Sequence, residues 1–132
     1  MSGILTIAVS GLNNASLRIA NATSNIVNAS STGALPTSPG GEATSFQPQD
    51  VVATPSVVGG VTSSLQPRQP AYVAVPDPSS PNANSAGLIA APNVSLDNEV
   101  INVQEASVAY RANLAVVNVT DEMQQKLLDA IA

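Results

Sequence analysis

The sequence has no cysteine, no histidine and no tryptophan, and its aromatics are Phe46, Tyr72 and Tyr110 alone. Without cysteine there is no disulfide framework and no thiolate metal site, and the compartment cannot be read from thiol usage. Without histidine or cysteine, the groups that most often act as general bases or nucleophiles near neutral pH are gone. The scarcity of large rings has a structural consequence. Ordering the backbone costs roughly 1 to 2 kcal/mol per residue, and apolar burial returns about 25 cal/mol per Å². A chain whose apolar content is mostly Ala and Val therefore needs many neighbours, and some of them have to come from other chains. Positive charge is equally sparse. The cations are Arg18, Arg68, Arg111 and Lys126 against nine acidic residues, a net charge of −5. That leaves no basic stripe for nucleic acid or for an anionic membrane surface. No apolar run approaches the roughly 20 residues of a membrane span, and the N-terminal segment lacks the basic region of a cleaved secretory signal.

Proline and glycine set the organisation of the chain. All ten prolines lie between Pro36 and Pro92, and six of the eight glycines lie between Gly33 and Gly87. Two proline-free arms therefore enclose a middle in which long helices are excluded. The expected division is an N-terminal helical arm over 1–33, a Pro/Gly-rich middle over 34–94 and a C-terminal helical arm over 95–132. In the first arm Leu5, Ala8, Leu12, Ala15, Ile19, Ala22, Ile26 and Ala29 recur at alternating steps of three and four, a coiled-coil seam of about four heptads. Asn14, Arg18, Asn21, Asn25 and Asn28 mark a second seam, either a solvated face or a row of amides fixing helix register. Helix is expected over about 3–30, stopped by Thr32, Gly33 and Pro36.

The second arm opens on Pro92-Asn93, with Ser95 as N-cap and Asp97 and Glu99 at the positive end of the helix dipole. Val100, Val103, Tyr110, Leu114 and Val117 continue the pattern, which then slips to Met123, Leu127 and Ile131 in the manner of a stutter. Helix is expected over about 96–130. The middle offers strands at 51–54, 56–58, 61–65 and 71–75, with Gly59-Gly60 as a hairpin turn and 76–84 as loop. The fold class is thus mainly α with a small β and loop middle.

Several patterns resemble functional motifs and read better as structure. Asp97 with Glu99, and Asp121 with Glu122, are the available carboxylate pairs, but one sits at a helix start and the other beside Lys126, as structural acids do. Gly40-Gly41 and Gly59-Gly60 are turns, since neither precedes a Lys-Ser/Thr pair opening a helix. Asn-x-Ser/Thr matches begin at Asn14, Asn21, Asn28, Asn93 and Asn118, four of them on or at the end of an expected helix. No catalytic, cofactor or metal site emerges.

Gly11-Leu12, Ala22, the run Ser24-Asn25-Ile26-Val27-Asn28-Ala29, and Thr32-Gly33 resemble the N-terminal signature of bacterial flagellar rod and hook proteins. Asn93-Val94, Glu99, Ala109-Tyr110-Arg111-Ala112-Asn113-Leu114, Asp121-Glu122-Met123 and Leu127-Leu128 resemble the C-terminal helix of the same family. Within it, the short length and the stretch from Asp77-Pro78 to Gly87 and on to Pro92-Asn93-Val94 look most like the proximal-rod protein C subfamily. Ala34 departs from the aromatic common after this glycine, and Phe46-Gln47-Pro48 is a loose match to the family's middle. The resemblance implies a structural subunit of the basal-body rod, exported without a cleaved signal through the flagellar type III apparatus. It implies terminal helices paired antiparallel as a coiled coil and packed with copies of itself and other rod proteins, in a shaft that spans the periplasm. On the seams and the matched motifs together, the assembly residues are Leu5, Leu12, Ile19, Asn25, Ile26, Asn28, Val103, Tyr110, Asn113, Leu114, Val117 and Leu127. The competing readings are a self-contained helical-hairpin binding module and a divergent paralogue with a role outside the rod; an enzyme working through carboxylates ranks last.

Overall fold

The computed structural model describes residues 2–37 and 41–131. The element order is α1 (Ser2–Val27), β1 (Gln49–Pro55), β2 (Val61–Pro67), β3 (Tyr72–Pro76), β4 (Leu88–Pro92) and α2 (Leu96–Ile131). Strands β1 and β2 form one two-stranded sheet, β3 and β4 another. All four strands end on proline. A proline has no N–H to donate, so the ladder stops where it stands. Both helices fall where the proline-free arms place them, α1 giving way to a turn at 28–30 rather than running to Ser30.

The chain divides into two compact units, one of Met1–Ala20, Val51–Ser64 and Ile101–Ala132, the other of Asn21–Asp50 and Leu65–Val100. In the first, the β1–β2 hairpin lies on α1. Asn14 Nδ2 donates to Ser63 Oγ (2.6 Å), and Ser10 Oγ accepts from the Val61 amide (3.1 Å). The hairpin turn is closed by the Ser56 amide donating to the Gly60 carbonyl and the Gly59 amide to the Ser56 carbonyl, both at 3.0 Å. Gly59 and Gly60 hold φ of 90° and 80°, the left-handed region that a side chain disfavours. Residues 56–58, expected as strand, belong to this turn: the chain reverses through Ser56, and Val57 is left fully exposed.

Helices α1 and α2 approach closely in this unit. A Cβ built on Gly11 would stand 2.5 Å from Asn113 Oδ1, and Arg18 Nη2 meets Glu105 Oε2 at 3.1 Å. The α1 number rises from 11 to 18 while its α2 partner falls from 113 to 105. The buried residues here are small, Ala8 and Ala15 on α1, Ala106 and Thr120 on α2. Ala106, Asn113 and Thr120 are seven apart and share one helix face. That face keeps one register as far as Thr120, the last buried residue of α2, and the residues that hold it are small or polar, with large apolar ones flanking it; the slip expected after Thr120 falls where no described residue is buried.

The second unit is built around β3 and β4, antiparallel in the register Tyr72↔Pro92 to Pro76↔Leu88. Strand β4 was not foreseen: Leu88-Ile89-Ala90-Ala91 is a short apolar run without alternation, in keeping with Ile89 and Ala90 both being buried. Gly33 pairs with Ala90 through two backbone hydrogen bonds of 2.9 Å. The loop 77–87 closes through the Asp77 amide on the Gly87 carbonyl and through Asn84 Oδ1, which accepts from the Ala86 and Leu88 amides. Gly40 of the expected Gly40-Gly41 turn lies outside the described residues. No helix among the described residues is long and apolar enough to cross a membrane.

Candidate assembly surface

The densest polar cluster joins segments that are far apart in sequence. Glu99, in the first turn of α2, is 1% exposed. Its Oε1 accepts from Arg68 Nη2 at 2.7 Å and from Asn25 Nδ2 at 3.2 Å. Arg68, just past β2, also grips Asp50 through Nη2 (2.6 Å) and Nε (3.1 and 3.2 Å), and donates through Nη1 to the Asn93 carbonyl (3.0 Å). Hydrogen bonds donated to Asp50 first, and then to Glu99, hold the guanidinium pKa above its ordinary range, against the opposing effect of burial. A planar fork with several donors suits this task where a lysine would not. Five segments thus converge on Arg68 and Glu99: the end of α1, the start of β1, the end of β2, the chain after β4, and α2.

Asn25 extends the cluster. Its carboxamide donates to the Gln49 carbonyl (2.9 Å) and accepts from the Gln49 amide (3.3 Å), as a neighbouring strand would. Asn21 Nδ2 donates to the same carbonyl at 2.7 Å. The asparagine seam of α1 is therefore not a solvated face. It satisfies the start of the sheet as well as reaching α2, and every buried side-chain N or O among the described residues has a hydrogen-bond partner. The role of Arg68 was invisible in sequence because its partners are 18, 25 and 31 residues away. Of the two acids at the α2 start, Glu99 is buried and Asp97 exposed, so they do not converge on one site; Asp121 and Glu122 are both exposed. No group of His, Cys, Asp or Glu among the described residues could hold a metal ion.

The expected assembly residues fall into three environments. Leu5, Leu12, Ile19 and Ile26 flank or continue the row of buried Ala8, Ala15 and Ala22, and all four are half-buried. Asn25 is buried in the cluster, while Asn28 caps its own helix, Nδ2 donating to the Ser24 carbonyl at 2.9 Å. Asn113 is half-buried against Gly11 and donates to the Ala109 carbonyl. Val103 and Val117 are half-buried, whereas Tyr110, Leu114 and Leu127 are exposed. Beside these, α2 exposes Leu96, Val100, Ile101, Val108, Val116, Val119, Met123, Leu128 and Ile131. The buried positions of α2 are thus small or polar, and many of its large apolar residues are exposed among charged and amide ones.

Comparison with known proteins gives the same direction. The family model described as flagellar basal body rod FlgEFG protein C-terminal matches residues 85–130. The flagellar basal-body rod protein FlgC of Salmonella typhimurium is 34% identical, the match covering 95% of this chain and 93% of that protein. The chain belongs to the FlgC family of flagellar basal-body rod proteins. FlgC of Escherichia coli O6:H1 is 33% identical over the same shares of the two chains. The likeness to flagellar rod proteins read from the two arms is therefore the family itself, and its C subfamily. Residues 85–130 of this FlgC-family chain contain Asn93, Glu99, Asn113 and Thr120.

Proposed function

We propose that this FlgC-family chain is a structural subunit of the bacterial flagellar basal-body rod, serving flagellum-dependent motility by assembly and not by catalysis. Helices α1 and α2 pair antiparallel as a coiled coil, so that the arms 1–33 and 95–132 do the assembling and the middle 34–94 makes outer contacts. The observation that carries the reading is the inversion of α2: small and polar residues are buried, and large apolar residues are exposed. A self-contained hairpin would place its large side chains inside. The partners are copies of this chain and other rod proteins, with the flagellar type III apparatus as the export route and the periplasm-spanning rod as the destination. The expected contact residues are Leu5, Leu12, Ile19, Ile26, Val103, Tyr110, Leu114, Val117 and Leu127, with Asn25, Asn28 and Asn113 setting the geometry from within. The absence of histidine and cysteine fits a role without catalysis.

Residue-level hydrogen exchange tests this. In dilute protein the amides of 2–20 and 101–131 exchange fast, since the core they share is Ala8, Ala15, Ala106 and Thr120. On mixing with cognate rod subunits they become protected. Full protection already present in the dilute chain, unchanged on mixing, would favour the stand-alone binding module.

A further inference from the structure

Strand β3 has one open edge. The Gly87 carbonyl accepts from the Asp77 amide and the Ala71 carbonyl from the Asn93 amide, in the register of the β3–β4 ladder, and these bonds fix its alternation. By that alternation Val73 and Val75 turn their N–H and C=O groups towards β4, while Tyr72 and Ala74 turn theirs away from it. On the far side of β4, Ala90, the partner of Ala74, gives its own outward pair to Gly33, which covers that edge. The β3 edge has no such cover. No described residue hydrogen-bonds the backbone groups that Tyr72 and Ala74 present there, and Val73 is 47% exposed. A cleft of about 750 Å³ opens at the first residue of the strand, between 41–47 and 69–72. Phe46 and Tyr72, two of the three aromatics in the chain, line it together with Glu42, Gln47 and Gln69. Glu42 is the one charged residue among the described residues of that lining.

We propose that the β3 edge and this cleft bind an extended segment of a partner protein, which adds a strand beside β3 and seats an arginine against Phe46, Tyr72 and Glu42. Backbone donors and acceptors along one open edge are met by another extended backbone. The side chain that such a strand places opposite Tyr72 stands about 5 Å from it, Cβ to Cβ, on the same face of the sheet. At that position the lining calls for a cation. Ring faces attract one, and the Glu42 carboxylate has no cation beside it in the lining. The chain does not supply its own from this unit, because Arg68, the cation of 21–50 and 65–100, is committed to Asp50 and Glu99. Arginine suits the cleft better than lysine. A planar guanidinium stacks on a ring and still donates to the carboxylate and to the side-chain carbonyls of Gln47 and Gln69. The free edge is short, bounded by Pro70 and Pro76, so the backbone pairing orients the segment and the arginine selects it.

The site stands apart from the helical arms, so its test uses the full chain alone and its outcome does not turn on whether the arms assemble with rod subunits. The probe is a short peptide blocked at both ends, alternating threonine and valine around a central arginine. One control carries glutamate at the centre, and another is N-methylated at its backbone amides. In NMR titrations of the isotopically labelled chain, the arginine peptide should shift the Tyr72 and Ala74 amides and the Phe46 ring saturably, with both controls binding roughly tenfold more weakly. Glu42→Lys should reverse the preference between the arginine and glutamate peptides. Ala74→Pro removes an N–H that faces away from β4, so the ladder survives, as slow exchange of the Val73 and Val75 amides reports, while peptide binding falls several-fold. Failure of the arginine peptide to bind saturably, equal binding of the arginine and glutamate peptides, or binding that survives N-methylation would overturn the site. So would shifts at Tyr72 and Ala74 that grow with protein concentration in the absence of peptide and vanish in Ala74→Pro, because the occupant would then be a second copy of the chain.

Discussion

Removing the Arg68 side chain is the sharpest probe of the polar cluster. In Arg68→Ala, Glu99, 1% exposed in the parent chain, loses its cation and keeps only the Asn25 amide at 3.2 Å. Breaking a buried pair from one side generally costs about 3 to 5 kcal/mol. The low end applies here, because Asn25 still donates and the Arg68 side chain is 20% exposed. The Asp50 contact adds little, since that carboxylate is half exposed and screened. We expect a loss of about 3 kcal/mol for Arg68→Ala, with Arg68→Lys recovering only part of it because an ammonium cannot span Asp50, Glu99 and the Asn93 carbonyl together.

Glu99→Gln is the informative partner. It removes the buried charge while leaving Arg68 paired with Asp50, so we expect about 1 kcal/mol. Urea unfolding followed by far-ultraviolet circular dichroism and by tyrosine fluorescence reads these losses. In a chain without tryptophan the emission comes from Tyr72, on β3, and Tyr110. The double variant Arg68→Ala/Glu99→Gln should be less damaging than the sum of the single ones, with a coupling of more than ~1 kcal/mol. Equal losses for the two single variants with no coupling would show that Glu99 is solvated, and would refute the cluster as a buried clasp.

Three further outcomes follow from the packing. Gly11→Ala gains about 1 kcal/mol of helix propensity but drives a methyl to 2.5 Å from Asn113 Oδ1, so assembly should weaken, and Asn113→Ala in the same chain should restore it; a Gly11→Ala chain that assembles like the parent would show the helices are farther apart. Gly33→Ala meets the backbone of Thr44 and Ser45 instead of a movable side chain, so it should destabilise by more than ~2 kcal/mol in urea unfolding, with no rescue by a second substitution. Val57→Ser with Val58→Ser should change the unfolding free energy by less than ~0.5 kcal/mol, because both side chains are exposed, yet reduce association with rod subunits measured by sedimentation.

The parts of the fold legible in sequence are those governed by local rules. Helices α1 and α2 could be placed from proline exclusion and periodicity, and the Gly59-Gly60 reversal from the left-handed backbone that glycine permits. Ser95 was legible as a cap, and its carbonyl accepts the Glu99 amide at 3.0 Å, the first bond of α2. Long-range pairing was not legible. Strand β4 declares itself only against β3 and Gly33, and Arg68 is an ordinary surface cation until Asp50 and Glu99 are brought to it. The inward face of α2 was misread for a related reason: periodicity weighs large apolar residues, and here Ala106, Asn113 and Thr120 hold the buried positions.

That misreading leads to how the chain reconciles order with assembly. A seam of Ala8 and Ala15 against Ala106 and Thr120 buries little apolar area, and by itself it stabilises a helix pair weakly. The larger side chains that would have made a firm private core, Leu114, Val116 and Val119 among them, are exposed instead. The polar clasp around Glu99 offsets this in the other unit, fixing where α1 ends and α2 begins through directional contacts that need no large core. One end of each helix is therefore ordered by the chain itself, while the other presents apolar surface for which the chain has no partner of its own. Reversing the arrangement, with Leu in place of Ala8, Ala15 and Ala106, would overpack a seam in which Gly11 already lies against Asn113. The small inner residues are thus what lets the two helices approach as closely as Gly11 and Asn113 do.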